Sequence, residues 1–243
     1  MKIVAIIQAR MTSTRLPGKV LKKVMDKTLL EYQLERVSRS QLINEIIVAT
    51  TTNETDDPIV NLCKQLGYTT YRGSEEDVLS RYYGAAMDAK AEVVVRLTSD
   101  CPLIDPAVID QVIQLFIDNC PNVDYVSNTL ERTYPRGMDT EVMSMNALIK
   151  AYRKATLESD REHVTAYIYS NESEYSLLNL KSSEVLSQYR WTVDTIEDFE
   201  LIQRILMELY PFNNNFSQKD IIDLLTNHHD WSLINAHIEQ KEM

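Results

Sequence analysis

Short runs of β-branched and aliphatic residues alternate with helical patterns through the first half of the chain, and this alternation restricts the fold more than any other feature. The first run is apolar at every position between Lys2 and Gln8, and similar runs follow at 45–50 and 92–98. A continuous apolar run is typical of a parallel strand that is covered on both faces. Strands that alternate with helices in this way form βαβ units. The sequence therefore predicts an α/β protein with a mostly parallel central sheet.

Pairs of capping residues mark where helices begin. An Asp before a Pro suits the first turn of a helix, and a Ser or Thr three residues before an acidic residue has the spacing of a capping box. The pairs are Asp57 with Pro58, Ser74 with Asp77, Asp105 with Pro106, and Thr195 with Asp198. We expect a helix after each pair, a short strand at 68–71, and two short helices after residue 217.

The alternation of strands and helices ends near residue 129. Beyond that point the pattern predicts a turn at 134–139, an edge strand at 140–145, helices, and a later strand at 189–193. The chain contains no internal repeat and no low-complexity linker. We therefore expect one domain that spans residues 1–243, with residues 129–188 as a small inserted lobe.

The expected edge strand carries the apolar residues Val142, Met143 and Met145. If these side chains formed an exposed patch, they could support a homodimer. Packing of the strand within one subunit would explain the same residues, so both alternatives stay open at this point.

Composition excludes several classes of protein. The chain has 36 acidic and 25 basic residues, whereas a general nucleic-acid binder depends on Lys and Arg to neutralise phosphates. Its three cysteines, Cys63, Cys101 and Cys120, are too widely separated for a disulfide framework or a zinc site. No run approaches the ~20 apolar residues of a membrane span, and the N-terminus does not resemble a secretory leader. We expect a cytoplasmic protein with neither nucleic acid nor membrane as a partner.

A basic loop follows the first predicted strand. Five basic residues and no acidic residue lie between Arg10 and Lys23, although the chain carries a formal net charge of -11. Open α/β sheets bind ligands just outside the carboxyl ends of their strands. The hydroxyls of residues 12–14 and the turn at Pro17 and Gly18 could therefore surround phosphate oxygens, although a solvated basic loop is the alternative. Neither a GxGxxG pattern nor a Walker A pattern is present, which disfavours dinucleotide binding and P-loop hydrolysis.

The same loop resembles a family signature. An apolar strand followed by A-R-x-x-S-x-R-L-P-G-K, here residues 9–19, opens the cytidylyltransferases that make CMP-linked sugar acids. Segments 72–83, 96–103 and 191–198 extend the resemblance along most of the chain, towards the relatives of the spore-coat polysaccharide biosynthesis protein SpsF. The resemblance implies a Rossmann-like nucleotide-diphospho-sugar transferase fold, CTP as the donor, and magnesium as the cofactor.

Two aspartates are candidates for holding that magnesium ion. Asp100 and Asp194 each closely follow a β-rich run, so their carboxylates could meet at the carboxyl edge of the sheet. Mg²⁺ is commonly held by one or two carboxylates together with phosphate oxygens and water. The resemblance implies this metal role, and a turn acceptor or helix cap is the structural alternative for Asp100.

The resemblance also implies the remaining site residues. The catalytic set consists of Arg10, Arg15, Lys19 and Asp100. The nucleotide-binding set consists of Ala9, Arg10, Ser13, Arg15, Lys19, Arg72 and Ser74. The acceptor-binding set, within the lobe, consists of Arg136, Asp139, Glu141 and His163. Surface ion pairs, a helix cap at Ser74 and a partly buried helix histidine are the structural alternatives.

These features together predict a function. We expect magnesium-dependent transfer of CMP from CTP to a sugar acid or related acceptor, with release of pyrophosphate, in the biosynthesis of a polysaccharide such as that of a spore coat. A nucleotide-sugar-dependent glycosyltransferase and a non-catalytic nucleotide-binding protein are the alternatives. Asp26 and Ser99 stand where the sugar-acid enzymes commonly have glycine, which leaves the acceptor less defined than the donor.

Overall fold

The computed structural model describes residues 1–239, in which strands and helices alternate as far as Asn119. The elements of this first part are β1 (Ile3–Gln8), β2 (Lys23–Val24), β3 (Lys27–Thr28), α1 (Leu29–Val37), β4 (Glu45–Thr51), α2 (Asp57–Leu66), β5 (Thr69–Gly73), α3 (Val78–Asp88), β6 (Val93–Thr98) and α4 (Pro106–Asn119). The second part contains β7 (Tyr125–Ser127), β8 (Glu141–Ser144), α5 (Met145–Lys154), α6 (Glu158–His163), α7 (Ala166–Tyr169), β9 (Leu177–Asn179), α8 (Ile196–Leu209), α9 (Gln218–Asn227) and α10 (His229–Ser232). The predicted α/β class is confirmed.

Seven strands form the central sheet in the order β5-β4-β1-β6-β8-β7-β9, while β2 and β3 form a separate antiparallel hairpin. Strands β5, β4, β1 and β6 are parallel to one another. Their carboxyl ends therefore lie at one edge of the sheet, which is where such sheets bind ligands. The loops that follow β1 and β6 meet at this edge.

The residues of β1 point alternately into two cores. Ala5 and Ile7 pack in the core that contains residues of α1, α2 and α4, whereas Val4 and Ile6 pack in the core that contains residues of α3 and α5. Each residue from Ile3 to Ile7 is at most 4% exposed. Because helices cover both faces, the strand has no polar side, and its sequence is therefore apolar at every position.

The prediction of an edge strand at residues 140–145 is wrong. Strand β8 pairs antiparallel with both β6 and β7, so it lies inside the sheet. Val142 and Met143 are 0% exposed, each in a different core. The exposed apolar patch that suggested a homodimer is therefore not present at these residues. Hydrophobic alternation indicated a strand, but it contains no information about the strand's neighbours.

The helix starts agree with most of the capping predictions. Thr195 and Asp198 form a capping box at α8, and Asp105 caps α4 with Pro106 in the first turn. Helix α3 is capped by Asp77 rather than by Ser74, whose hydroxyl instead accepts a hydrogen bond from the Asp77 amide. Residues 189–193 form no regular strand and make only an isolated bridge, at Arg190. No helix within residues 1–239 is both long and apolar enough to cross a membrane.

Candidate active site

A cavity of about 940 Å³ opens at the carboxyl edge of the sheet. Its walls come from the loops after β1 and β6, the segment before β8, helices α3, α6 and α7, and the segment before α8. Except for Arg72 and Ser74, every site residue predicted from the sequence lines this cavity: Ala9, Arg10, Ser13, Arg15, Lys19, Asp100, Arg136, Asp139, Glu141, His163 and Asp194. The fold therefore brings the basic loop, both aspartates and the lobe residues to one place.

The ammonium group of Lys19 joins the two aspartates. Lys19 Nζ lies 2.8 Å from Asp194 Oδ1 and 3.3 Å from Asp100 Oδ2, and it also donates to the Val193 carbonyl oxygen at 2.7 Å. Only 11% of the Lys19 side chain is exposed. Burial by itself lowers the pKa of Lys19, but the charges of Asp100 and Asp194 outweigh this effect and raise it above the ordinary value. Two carboxylates that are distant in the sequence thus share one cation.

The loop that carries Lys19 is held by two local features. Gly18 adopts a left-handed backbone with φ of 67°, and its amide donates to the Met11 carbonyl oxygen at 2.9 Å. Glycine adopts this conformation without the steric cost that other residues have. At the start of the loop, the buried carboxylate of Asp56 accepts a hydrogen bond of 2.7 Å from the Met11 amide and further bonds from Thr51. The loop therefore reaches Lys19 along a defined path.

Asp194 also contacts two arginines. Arg15 Nη2 lies 3.0 Å from Asp194 Oδ2, and Arg190 Nη2 lies 2.9 Å from the same oxygen. Arg190 Nε also donates to Asp198 at 2.9 Å. Burial by itself raises the pKa of Asp198, but the hydrogen bonds from Arg190 and Asn235 outweigh it and lower the pKa. Asp198 thus caps α8, as predicted, and also holds Arg190 beside Asp194.

Asp100 is stabilised in its charged form. Its Oδ1 atom accepts a hydrogen bond of 2.5 Å from the Thr98 hydroxyl and a longer one of 3.4 Å from the Cys101 thiol. Burial alone raises the pKa of Asp100, but the Lys19 ammonium and these hydrogen bonds lower it to about 2. At neutral pH, Asp100 is therefore an ionised carboxylate.

The two aspartates suit a metal that a phosphate chain completes. Mg²⁺ typically takes one or two protein carboxylates and fills its other positions with phosphate oxygens and water. One cation, the Lys19 ammonium, already lies in contact with both carboxylates. Within residues 1–239, no three His, Cys, Asp or Glu side chains form a ready metal cluster. The two carboxylates therefore fit a Mg²⁺ ion that takes its remaining ligands from a bound phosphate chain and water. They do not fit a metal ion that is coordinated by protein side chains alone.

Glu141 is occupied within the protein. Its Oε1 atom forms an ion pair with Arg96, and its Oε2 atom accepts hydrogen bonds from the Tyr125 hydroxyl at 2.6 Å and the Thr165 hydroxyl at 2.5 Å. Burial by itself lowers the pKa of Arg96, but the Glu141 carboxylate outweighs it and raises the pKa. Glu141 thus holds Arg96 and Thr165 at the cavity wall, and its direct contact with an acceptor stays a prediction.

Asp139 and Arg136 differ in their pairing. Asp139 accepts two hydrogen bonds from Arg132, at 2.6 and 2.8 Å, so its carboxylate is neutralised by its neighbour. The half-buried Arg136 side chain makes no hydrogen bond or ion pair to any of residues 1–239. Burial and the nearby charge of Arg132 lower the pKa of Arg136. Arg136 is therefore the lobe arginine whose side chain is available to an anionic ligand.

His163 ends α6 at a strained turn. The Thr165 amide donates to the His163 carbonyl oxygen at 2.6 Å, and Val164 between them has φ of 60° and ψ of -59°. These values define a γ-turn, which is rare and strained, above all at a β-branched residue. Val164 is fully buried and anchors the turn, while His163 and Thr165 line the cavity on either side. Strain of this kind tends to occur at functional sites.

Arg72 and Ser74 lie outside the cavity lining. Arg72 donates to the carbonyl oxygens of Thr51 and Asn53, both at 2.8 Å, and pairs with Asp57 at 2.7 Å. These contacts tie β5 to the loop after β4. The guanidinium of Arg72 is thus used within the fold, and the exposed Ser74 hydroxyl accepts a hydrogen bond from the Asp77 amide; the predicted contact of both residues with a nucleotide stays a prediction.

Three lining arginines were not predicted from the sequence: Arg81, Arg96 and Arg132. Arg96 did carry a signal, because it interrupts an otherwise apolar strand, and a charge at such a position requires a partner or a ligand. Arg81 and Arg132 stand in an ordinary helix and a polar loop, where arginine is common. Only the fold shows that their side chains turn inward.

The chain matches a known family over most of its length. The family model described as cytidylyltransferase matches residues 4–226. The spore coat polysaccharide biosynthesis protein SpsF of Bacillus subtilis is 37% identical over 235 residues, which cover 94% of this chain and 95% of that protein. The 3-deoxy-manno-octulosonate cytidylyltransferase of Chlamydia trachomatis is 28% identical over 212 residues, which cover 83% of this chain and 81% of that enzyme.

A solved structure supports the same relationship. The structure of a cytidylyltransferase from Leptospira borgpetersenii superimposes with a TM-score of 0.92 at 33% sequence identity, and the match covers 100% of both chains. The similarity therefore extends through the sheet, the loop after β1 and the segment of residues 129–188 that contributes β8.

Proposed function

Because this chain belongs to the cytidylyltransferase family, we propose that it transfers CMP from CTP to a sugar acid or a related acceptor and releases pyrophosphate. Family membership makes the chain a nucleotidyltransferase that uses CTP. The sugar-acid acceptor is inferred from the name of the C. trachomatis relative and from Arg136. The name of SpsF supports a place in polysaccharide biosynthesis, such as that of a spore coat.

One observation carries the proposal: Lys19, Asp100 and Asp194 meet in a single cavity. Nucleotidyl transfer requires cations for the triphosphate and carboxylates for a metal within reach of the same phosphorus atom. The shared ammonium ensures that both carboxylates are close enough to act on one nucleotide. Arg15, which contacts Asp194, adds a second positive charge from the same loop.

The residues of this chain would bind and orient the two substrates. Arg10, Arg15 and Lys19 bind the triphosphate and neutralise the negative charge of the departing pyrophosphate. An acceptor oxygen forms a bond to the α-phosphorus, while the bond from that phosphorus to the pyrophosphate oxygen breaks. Holding both substrates in one cavity makes this encounter effectively intramolecular. No covalent intermediate with the enzyme is required.

Asp100 and Asp194 would hold the magnesium ion. When bound, Mg²⁺ neutralises phosphate charge and polarises the phosphoryl oxygens. The low pKa of Asp100 keeps this ligand ionised throughout the neutral range, so proton competition for it is weak.

The acceptor would lie in the half of the cavity that the lobe forms. Arg136 offers a guanidinium for the acceptor's carboxylate, to which arginine can donate two parallel hydrogen bonds. His163, fixed by the γ-turn, lies in the same half and orients the acceptor's hydroxyl groups. Glu141 and Asp139 act indirectly, since each holds an arginine in place.

The family match disfavours both alternatives. A glycosyltransferase would use a nucleoside diphosphate sugar as its donor. The loop after β1 instead carries, at residues 9–19, the pattern of enzymes whose donor is a nucleoside triphosphate. A non-catalytic binder would not need a pair of carboxylates beside Lys19 within the nucleotide cavity. No observation in the described residues favours either reading over nucleotidyl transfer.

Thermal-shift measurements with each of the four nucleoside triphosphates, with and without Mg²⁺, test the donor. Selective binding raises the melting temperature by mass action, and we expect the largest shift with CTP and Mg²⁺ together. Pyrophosphate release from CTP with a panel of sugar acids, sugar phosphates and small alcohols then identifies the acceptor.

A pair of variants tests the role of the carboxylates. We expect Asp100→Asn to lower the rate by at least about 100-fold, the scale of losing one preorganised electrostatic contact. Asp118→Asn on the exposed face of α4 is the matched control and should retain the rate. An unchanged melting temperature with every nucleotide, or full activity of Asp100→Asn, would contradict the proposal.

A further inference from the structure

Arg81, in the first turn of α3, is a buried cation that pairs with no carboxylate of residues 1–239. The residue is 2% exposed. Its Nη1 group donates to the Ser74 carbonyl oxygen, while its Nε atom is fully buried and has no acceptor. Within residues 1–239 it forms no ion pair. A guanidinium has five N–H donors and no acceptor, so most of its hydrogen-bonding capacity is unused here.

A charge of this kind is costly unless a ligand compensates for it. Buried ions are normally paired or hydrogen-bonded, because burial in a medium of low dielectric constant disfavours the charged form. Burial accordingly lowers the pKa of Arg81. Since Arg81 lines the cavity, a ligand that offers hydrogen-bond acceptors would satisfy it.

The surroundings of Arg81 suit a flat, partly apolar group. Ala9 and Val78, at 3% and 4% exposure, line the cavity with it. The phosphate-binding cations Arg15 and Lys19 gather instead at Asp194, where the reacting end of the nucleotide is expected. A nucleobase presents apolar faces and a polar edge, so the wall formed by Ala9, Val78 and Arg81 matches a base better than it matches a phosphate.

We propose that Arg81 donates hydrogen bonds to the acceptor edge of the cytosine base and makes the donor site prefer CTP to UTP, a role that rests on the function proposed above. Cytosine presents two adjacent acceptors, O2 and N3, whereas uracil presents O2 beside an N3–H donor. Arginine can only donate, so uracil opposes one of its N–H groups with another donor. A site built around such contacts rejects an analogue that leaves its buried donors unpaired.

The neighbouring motif holds Arg81 in place. A Cβ atom at Gly73 would lie 3.2 Å from Arg81 Cγ and 3.3 Å from its Cβ, so glycine at this position makes room for the arginine stem. Ser74 supplies the carbonyl acceptor, and Arg72 fixes the strand to its neighbour. The segment that the sequence suggested as a direct nucleotide contact therefore acts through Arg81.

Calorimetric binding of Mg²⁺-CTP and Mg²⁺-UTP to the full chain tests this role. We expect the wild type to prefer CTP, and Arg81→Gln to bind CTP about 10- to 100-fold more weakly, as the loss of a charged hydrogen bond implies. Binding of UTP should change much less, so the preference collapses. Gly73→Ala, which displaces the arginine stem, should cause a smaller change in the same direction. Arg153→Gln, at an exposed position of α5, is the matched control.

The outcomes separate this role from the proposed function. Failure of the wild type to bind CTP would refute the function of the cavity, and this assignment with it. Selective CTP binding that survives in both Arg81→Gln and Arg81→Lys would refute the assignment alone. An equal loss for CTP and UTP would show that Arg81 contacts phosphate or ribose, and would also overturn it. If Arg81→Gln does not fold, judged by circular dichroism, Arg81→Lys and Gly73→Ala decide the question.

Discussion

Replacing Lys19 by methionine removes the cation that Asp100 and Asp194 share. The pKa of Asp100 is about 2 in the folded protein, against a reference value of 3.8. One pKa unit corresponds to about 1.4 kcal/mol, so this depression contributes roughly 2 kcal/mol to the free energy of unfolding at neutral pH. Lys19→Met removes the largest of the interactions that lower this pKa and leaves two neighbouring carboxylates without their shared cation. We expect a loss of about 2 to 4 kcal/mol at pH 7.

The pH dependence has a definite direction. Because the folded-state pKa of Asp100 is lowered, its contribution is complete above pH 3.8 and disappears as the pH falls through about 2. The stability difference between wild type and Lys19→Met should therefore be constant from pH 7 to about pH 5 and should shrink clearly by pH 3. Below about pH 2 Asp100 is protonated, and the Lys19 ammonium then has no charged Asp100 to stabilise.

Urea denaturation at pH 7, 5, 4 and 3, at constant ionic strength, measures this difference. Lys23→Met, at an exposed position of β2, is the matched control and should remain within about 0.5 kcal/mol of the wild type. Lys19→Arg keeps the charge and should recover part of the loss. Equal stability of Lys19→Met and wild type at pH 7, or a difference that does not change towards pH 3, would refute the reasoning.

Three further predictions concern the backbone, the acceptor and the metal. Gly137→Ala should destabilise the protein by more than about 2 kcal/mol in urea denaturation, because the backbone φ of Gly137 is +103° and a Cβ atom would lie 2.7 Å from the Trp191 carbonyl group. Unchanged stability would show that the backbone at Gly137 and Trp191 can move apart to accept the methyl group. Arg136→Gln should raise the KM for a sugar-acid acceptor about 10-fold or more and leave the KM for CTP unchanged, and an equal rise in both would place Arg136 with the nucleotide. Removal of divalent cations with EDTA should abolish pyrophosphate release, Mg²⁺ should restore it, and activity in EDTA would exclude the metal role of the two aspartates.

Features determined by neighbouring residues could be predicted from the sequence. The continuous apolar run of β1 indicated a strand covered on both faces, and the structure places its side chains in two cores. The capping box at Thr195 and the turn at Gly18 depend on residues a few positions apart, so their local pattern is sufficient. Asp100 follows β6, so its position at the carboxyl edge of the sheet could be predicted locally, whereas residues 189–193 form no regular strand and only the fold brings Asp194 beside it.

Features determined by contacts between distant segments could not be predicted in this way. The alternation at residues 140–145 indicated a strand, but its place inside the sheet depends on pairing with β6 and β7. The sequence likewise suggested Glu141 as an acceptor contact, whereas its oxygens are taken by Arg96, Tyr125 and Thr165. Whether a polar group is free for a ligand depends on which partners the fold brings to it.

The sequence by itself thus determined the α/β class, the order of the elements in the first half and the loop that carries Lys19, because periodicity and turn chemistry act over a few residues. Only the tertiary structure decided that one ammonium joins Asp100 to Asp194 and that Arg81 is buried beside the cavity, where no carboxylate in the described part of the chain forms an ion pair with it. Burial and pairing depend on atoms contributed by separate segments, and these meet only when the sheet has assembled.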